Sequence, residues 1–329
     1  MKNALSAAMV LIGTFIGAGF ASGQEIIQYF GIFGNYGIFG MVISCLLLGL
    51  FTYCTTDNIC FLGEGEYVNV LCKFKWVSYI INGYMILIFA TMITAFGESF
   101  EQMFHLPKMY GVLIINIVTM IILHFGADAV VKFNVFVTPL IISGIIISFF
   151  ANNTVSVFNN FGISAIVYTS YNVITLPFVI LGMKEMLRNK KVSALCSIIF
   201  SIIIFVLALC IFVLLKGVDG ESVQIPLLSV VLGWYVYVLG FVLAMSMLTT
   251  AVSSGYGLVN AVNIAPEKVM FFLFFFALFF SMLRFNFIVK YLYMVFGYMG
   301  IYILVQNFCI FIKNREKPRK IKIINNNRK

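Results

Sequence analysis

Residues 13–25 read Gly13-Thr14-Phe15-Ile16-Gly17-Ala18-Gly19-Phe20-Ala21-Ser22-Gly23-Gln24-Glu25 and lie inside an otherwise apolar run. Four glycines and the polar Ser22, Gln24 and Glu25 thus occupy the middle of a stretch long enough to cross a bilayer. Glycine weakens a helix by about 1 kcal/mol relative to alanine and lets a ligand approach the backbone closely. Unwound backbone at membrane depth survives only where it is buried in protein or lines a cavity. Ser22 and Glu25 have the spacing of a capping box, which would restart a helix after the break. A small-residue packing face, Gly13-xxx-Gly17, is the plainer alternative. It leaves Gln24 and Glu25 without an account.

The rest of the chain sets this stretch in a membrane. Of 329 residues, 62% are apolar and 10% charged, with a mean hydropathy of +1.06. An ordinary soluble domain is roughly 45–50% apolar and about 25% charged, so this chain could not cover its core with polar surface. A span needs roughly 20 apolar residues. By that measure ten segments are expected, at about 4–30, 35–56, 76–97, 109–125, 131–151, 162–183, 193–215, 228–254, 269–285 and 287–312. Lys2 before the first run imitates a signal peptide, but no small-x-small site ends the run, which therefore reads as the first span.

The basic residues fix an expected orientation. With both termini in the cytoplasm, inner segments hold 17 of the 21 Lys and Arg, eight of them in the tail 313–329. Outer segments keep Lys108, Lys216, Arg284 and Lys290. The reverse orientation would violate the positive-inside rule. The net charge of +9 is accounted for in this way, and no nucleic-acid partner is expected. Seven scattered cysteines without a C-x-x-C pair read as buried thiols, and His105 and His124 lack neighbours at metal-ligand spacing. No Walker-type phosphate loop, zinc-hydrolase motif or intramembrane catalytic set is present in the sequence, so an enzyme is not expected.

A second interruption follows in the sixth segment, Tyr168-Thr169-Ser170-Tyr171-Asn172-Val173-Ile174-Thr175-Leu176-Pro177. Proline cannot donate to the helix ladder and clashes with the preceding turn, so a simple kink is one reading. The position suggests more, because the sixth segment opens the second set of five as the first opens the first. Five is odd, so successive five-span units must be inverted. The expected architecture is all-α and integral to the membrane, with repeats at 1–152 and 153–312 and a basic cytoplasmic tail at 313–329. Interrupted helices at matching places in inverted halves mark the binding site of a secondary transporter. Their N-termini suit a carboxylate and their free carbonyls a cation.

The stretches GTFIGAGFASGQEI (13–26), YTSYN (168–172), LTT (248–250) and YLYMVFGYMG (291–300) resemble the YkvI-type bacterial membrane proteins. That family is similar to the amino acid–polyamine–cation transporters and sodium:solute symporters of the leucine-transporter fold. The resemblance implies a bacterial cytoplasmic membrane protein. It also implies a sodium ion held by the carbonyls of Gly13, Ile16 and Ser246 and the hydroxyls of Thr249 and Thr250. Such a set of oxygens suits a hard cation. Threonine on a membrane helix also bonds its own preceding turn, which is the competing account. A second sodium site is not implied, because Phe20 stands where the family places an amide.

By the same resemblance a substrate carboxylate would meet Gly17, Ala18 and Gly19. Tyr168, Ser170 and Asn172 would line the cavity, with Tyr84 and Thr91 from the third span. Lys132 and Glu25 are candidates for proton coupling or gating. The expected function is sodium-coupled symport of a small zwitterionic solute such as an amino acid or amine. A proton-coupled transporter and a solute-sensing receptor on the same scaffold remain as alternatives.

Overall fold

The computed structural model describes residues 2–125, 127–150, 164–215, 225–230, 235–262 and 264–316, and all elements there are helical. The first segment is three pieces: α1 (Lys2–Phe15), α2 (Ala18–Ala21) and α3 (Gln24–Tyr29). There follow α4 (Gly37–Leu62), the short α5 (Glu64–Leu71), α6 (Lys75–Phe104), α7 (Lys108–His124) and α8 (Ala127–Phe150). The sixth segment is split into α9 (Ser164–Asn172) and α10 (Leu176–Gly182), followed by the single turn α11 (Lys184–Leu187). The remainder is α12 (Lys190–Leu214), α13 (Pro226–Val230), α14 (Tyr235–Ala261), α15 (Pro266–Phe280), α16 (Phe285–Phe287) and α17 (Tyr293–Glu316).

Six stretches among the described residues are long and apolar enough to cross a membrane: Gly37–Leu62, Lys75–Phe104, Ser164–Gly182, Lys190–Leu214, Tyr235–Val259 and Phe285–Arg315. Asn3–Phe15, Lys108–His124 and Phe136–Ile147 are shorter apolar helices. The ninth expected segment is a 15-residue helix that stops at Phe280, before a turn at 281–284, rather than running to 285. The third, at 30 residues, is about 45 Å long, well beyond a hydrocarbon core of about 30 Å. The expected boundary between halves, at 152–153, and most of the tail lie outside the described residues. The chain is a multi-pass α-helical membrane protein.

Its outer faces show what a bilayer requires. Phe271, Phe275 and Phe279 on α15 are 67%, 52% and 72% exposed, a ridge of rings that only lipid could solvate. Inside, hydrophobic packing between helices carries little net drive, because lipid is as apolar as leucine. Polar contacts contribute instead. Asn116 on α7 donates to the Phe274 carbonyl of α15 at 3.1 Å, and Ser201 on α12 to the Cys45 carbonyl of α4 at 2.6 Å.

The most developed of these contacts holds one end of the molecule. Asn307 of α17 is fully buried, and its amide donates to Thr55 at 3.0 Å while its Oδ1 accepts from Asn58 and Tyr67 at 3.1 and 3.0 Å. A buried amide whose donor and acceptor are both used ties its neighbours firmly. Here it fastens α5, through Tyr67, to α4 and α17.

Long packed pairs organise the interior. α14 lies along α6 and α8, α12 along α4 and α1, and α17 along α9 and α4. The interrupted α1–α3 and α9–α10 segments are enclosed by these helices.

Candidate functional site

The first interruption is really two. α1 ends with Ile16 N–H donating to the Ile12 carbonyl at 2.8 Å, after which Gly17 is extended at φ −90, ψ −172. The helix restarts as α2, then stops again at Ser22 and Gly23, where Gly23 takes the left-handed φ of +80°. That conformation costs a residue with a side chain about 1–2 kcal/mol, which explains the glycine. Ser22 Oγ donates to the Gly19 carbonyl at 3.2 Å and accepts from Gln24 N–H at 3.3 Å. Leu227 N–H of α13 donates to the Ser22 carbonyl at 2.9 Å, satisfying a group the break would orphan.

The expected capping box does not form. Gly23, not Ser22, begins α3, and Glu25 folds towards Gly19 instead of back to Ser22. A Cβ on Gly19 would collide with the Glu25 carboxyl group. The positive φ of Gly23 turns the chain so that the capping geometry is lost and the carboxylate faces inward.

The second interruption is a turn. α9 stops at Asn172, Ile174 N–H reaches back to the Tyr171 carbonyl at 3.3 Å, and Pro177 stands in the first turn of α10. There proline costs nothing, since its missing N–H would have no partner in any case.

Between the two interruptions lies a cavity of about 720 Å³. It is lined by Gly17 and Glu25 of the first break, Asn172 and Thr175 of the second, and Tyr84, Met92, Thr250 and Tyr293 from the enclosing helices. It extends to the end of the molecule where Glu64 and Cys72 meet Gly182 and Ala261. On the opposite side Gly23 is packed against Leu215 and Ile211, while Phe20 and Leu227 are fully buried.

The sequence-predicted solute residues separate into two groups. Gly17, Asn172 and Tyr84 line the cavity. Tyr168 does not: it is buried among Phe15, Tyr29 and Phe30, with ring centroids 6.3, 5.6 and 4.9 Å away. Ser170 is turned away as well, donating to the Ile166 carbonyl at 2.7 Å, with its own carbonyl pressed against Gly300 of α17. Thr91 donates to the Leu87 carbonyl at 2.7 Å on its own helix and is fully buried. Ala18 N–H is met by Met92 Sδ at 3.1 Å, and Gly19 is covered by Glu25.

Of the residues implied for sodium, Ile16 and Thr250 meet between the first break and α14. Thr250 Oγ1 lies 3.2 Å from the Ile16 carbonyl, a contact between helices 234 residues apart in sequence. Thr249 Oγ1 donates to the Ser246 carbonyl at 2.8 Å, the local bond common for threonine in membrane helices. Gly13 packs against Thr138 of α8, with no room for a side chain. Lys132 falls in the first turns of α8, and its side chain lies outside the described residues.

Sequence reasoning missed Tyr171, Tyr293 and Met92. Tyr293 follows a π-helical turn, Ile288–Leu292, at the start of the tenth segment. Such turns insert one residue and recur at functional sites. Tyr171 was visible in the same motif as Tyr168, but the facing of a short half-helix cannot be phased from sequence. The tyrosines form a chain of rings, Tyr168–Tyr171 at 5.5 Å and Tyr171–Tyr293 at 5.1 Å.

Comparison with known proteins agrees with this fold. No family model matches the chain. It is 31% identical over 147 residues to the uncharacterized membrane protein YkvI of Bacillus subtilis, covering 43% of this chain and 42% of that protein. It is 24% identical over 322 residues to YyaD of the same organism, covering 90% and 94%. Among solved structures it resembles a Na+-coupled sialic acid symporter in a substrate-bound outward-open state, with a TM-score of 0.61, 14% identity and coverage of 94% of this chain and 78% of the other. It also resembles Mhp1, a nucleobase-cation-symport-1 family transporter, with a TM-score of 0.57, 10% identity and coverage of 87% and 74%. The manganese transporter of Eremococcus coleocola matches with a TM-score of 0.53, 14% identity and coverage of 96% and 72%. The chain is thus similar to YkvI in part of its sequence and shares its fold with secondary transporters of the leucine-transporter type.

Proposed function

We propose that the protein is a secondary active transporter that moves a small solute across the bacterial cytoplasmic membrane by alternating access. The observation that carries this reading is the cavity of about 720 Å³ set between two interrupted helices and reaching one end of the molecule. Its volume falls within the roughly 300–1,000 Å³ usual for small-molecule sites.

The packing supports two inverted units of five spans, at 1–152 and 153–312. α1 with α8 is matched by α9 with α17, α1 with α12 by α9 with α4, and α6 with α7 by α14 with α15. The basic residues support both termini inside: Lys73, Lys75, Lys184, Arg188, Lys190 and Lys191 flank α5 and α11 at the open end of the cavity. The conformation is then inward-open. Moving between states needs hinges, and the unwound residues at 16–17, 22–23 and 173–175 provide them.

Sodium is the coupling ion this reading favours. Thr250 bypasses its own turn to reach the Ile16 carbonyl, so a hydroxyl and a carbonyl from two helices already share a point. With Gly13, Ser246 and Thr249 nearby in sequence, that point suits a hard monovalent cation. The solute class is an amino acid or amine.

The test is uptake into proteoliposomes under an imposed sodium gradient, with potassium as control, over a panel of amino acids and amines. Accumulation that requires inward sodium and is lost in Thr250→Val is the expected result. Accumulation driven equally by a proton gradient in potassium would transfer coupling away from these residues. Binding without accumulation under either gradient would favour a sensor.

A further inference from the structure

We propose that the solute is an organic cation of net positive charge, held by Glu25 as counter-ion and caged by the rings of Tyr84, Tyr171 and Tyr293. This assignment rests on the transporter reading of the same cavity and narrows its solute class from zwitterions to ammonium-bearing cations.

Charge inventory is the first argument. Among the described residues the cavity lining includes Glu25 and Glu64 and no lysine, arginine or histidine. Glu64 stands at the mouth, paired with Lys184. The ion pairs among the described residues are Glu98–Lys108, Glu64–Lys184 and Asp57–Lys190, and none reaches Glu25. Glu25 is 4% exposed. A carboxylate that deep is neutral or has a cation beside it, because an unpaired charge there is too costly.

Occupancy of the expected carboxylate site is the second. A zwitterion would need the backbone amides of the first break for its carboxylate. Ala18 N–H is already met by Met92 Sδ at 3.1 Å, and the Glu25 carboxyl lies against Gly19. A solute carboxylate placed there would face a resident one. An ammonium group would find it complementary.

The aromatic wall is the third. Tyr171 and Tyr293 line the cavity with centroids 5.1 Å apart, Tyr84 and Tyr293 with centroids 6.5 Å apart. The Tyr171 hydroxyl lies beside the Glu25 carboxyl and the Tyr293 hydroxyl beside Thr91, so the carboxylate and the rings border one position. Aromatic faces around a cation are the usual means of recognising ammonium groups.

A proton and the solute must then compete for one carboxylate. The titratable groups near Glu25 are the phenols of Tyr29 on α3, Tyr84 on α6, Tyr168 and Tyr171 on α9, and Tyr293 on α17. None of these supplies a positive charge, and Glu64 at the mouth is paired with Lys184, so protonation of Glu25 removes the counter-charge beside the tyrosine rings.

The experiment measures binding to the purified full-length protein by calorimetry and thermal shift. Its probes are three matched pairs, phenethylamine with phenylalanine, isobutylamine with valine and cadaverine with lysine, together with tetramethylammonium. At least one amine binds ten-fold or more tightly than its parent amino acid. Glu25→Gln weakens that amine at least ten-fold, Glu25→Asp restores most of the loss, and Tyr171→Leu weakens it several-fold while Tyr171→Phe does not. Tetramethylammonium, whose charge cannot titrate, binds progressively more weakly as pH falls. Preference for the parent amino acid, or undiminished amine binding in a folded Glu25→Gln protein, overturns the assignment and leaves the transporter standing. Silence of every pair also overturns it, while the transporter reading is judged separately by gradient-driven uptake over the wider panel.

Discussion

The two interruptions do the same job with different materials. The first is built from glycines, the second from a proline and a three-residue turn. Glycine removes side chains, so neighbours move in: Met92 and Thr250 against Gly17, Glu25 against Gly19, Leu215 and Ile211 against Gly23. Proline removes a donor and leaves the surrounding space as it was. The first break is therefore the tightly packed, polar one, where carbonyls and a carboxylate are brought to the cavity. The second contributes Asn172 and Thr175 and a point of bending.

This contrast predicts unequal sensitivity. Gly23→Ala should have the largest effect on stability, about 2 kcal/mol, because it sets a side chain at φ +80° against Leu215. The measurement is the melting temperature in detergent. Gly19→Ala should leave stability nearer to native but expel the Glu25 carboxyl from its place, weakening binding of any cationic probe at least ten-fold in titration. Thr250→Val removes one hydroxyl contact across α1 and α14, worth about 1 kcal/mol, and should abolish any stabilisation by sodium over potassium. Pro177→Ala should be mildest, within about 1 kcal/mol of native in melting, since proline at a helix start loses no bond. Slower uptake with unchanged binding would mark the second break as a hinge. If Pro177→Ala proves as damaging as Gly23→Ala, the difference between the breaks is not one of packing.

Much of this contrast was legible in residues 13–25 and 168–177, because glycine, proline and buried polar groups are anomalies against an apolar background. What resisted was facing. The period of 3.6 tells which side chains share a face only while a helix is continuous, and each break resets it. Tyr168 and Tyr171 differ by less than one turn, yet one is buried among rings and the other lines the cavity. Thr91, Ser170 and Tyr168 were placed at the cavity by resemblance alone; here Thr91 and Ser170 bond carbonyls of their own helices and Tyr168 packs among rings. The Ser22–Glu25 spacing was read as a cap restarting the helix at Ser22, whereas Gly23, at φ +80°, is the residue that starts it. The short α5, α11 and α13 could not be seen by hydropathy, which scores only long apolar runs.

The π turn at Ile288–Leu292 shows how fine this dependence on phase is. An α-helix advances about 100° per residue. The extra residue in that turn therefore rotates everything from Tyr293 onward by about that angle relative to the residues before it. Deleting a single residue between 288 and 292 would convert the turn to ordinary helix. The downstream half of the tenth segment could keep its contacts with α9 and α4, including the Asn307 amide, only if the upstream turn rotated instead. The length of one helical turn thus sets whether the Tyr293 ring faces the cavity, without altering any residue within 288–292 that lines it, since none does.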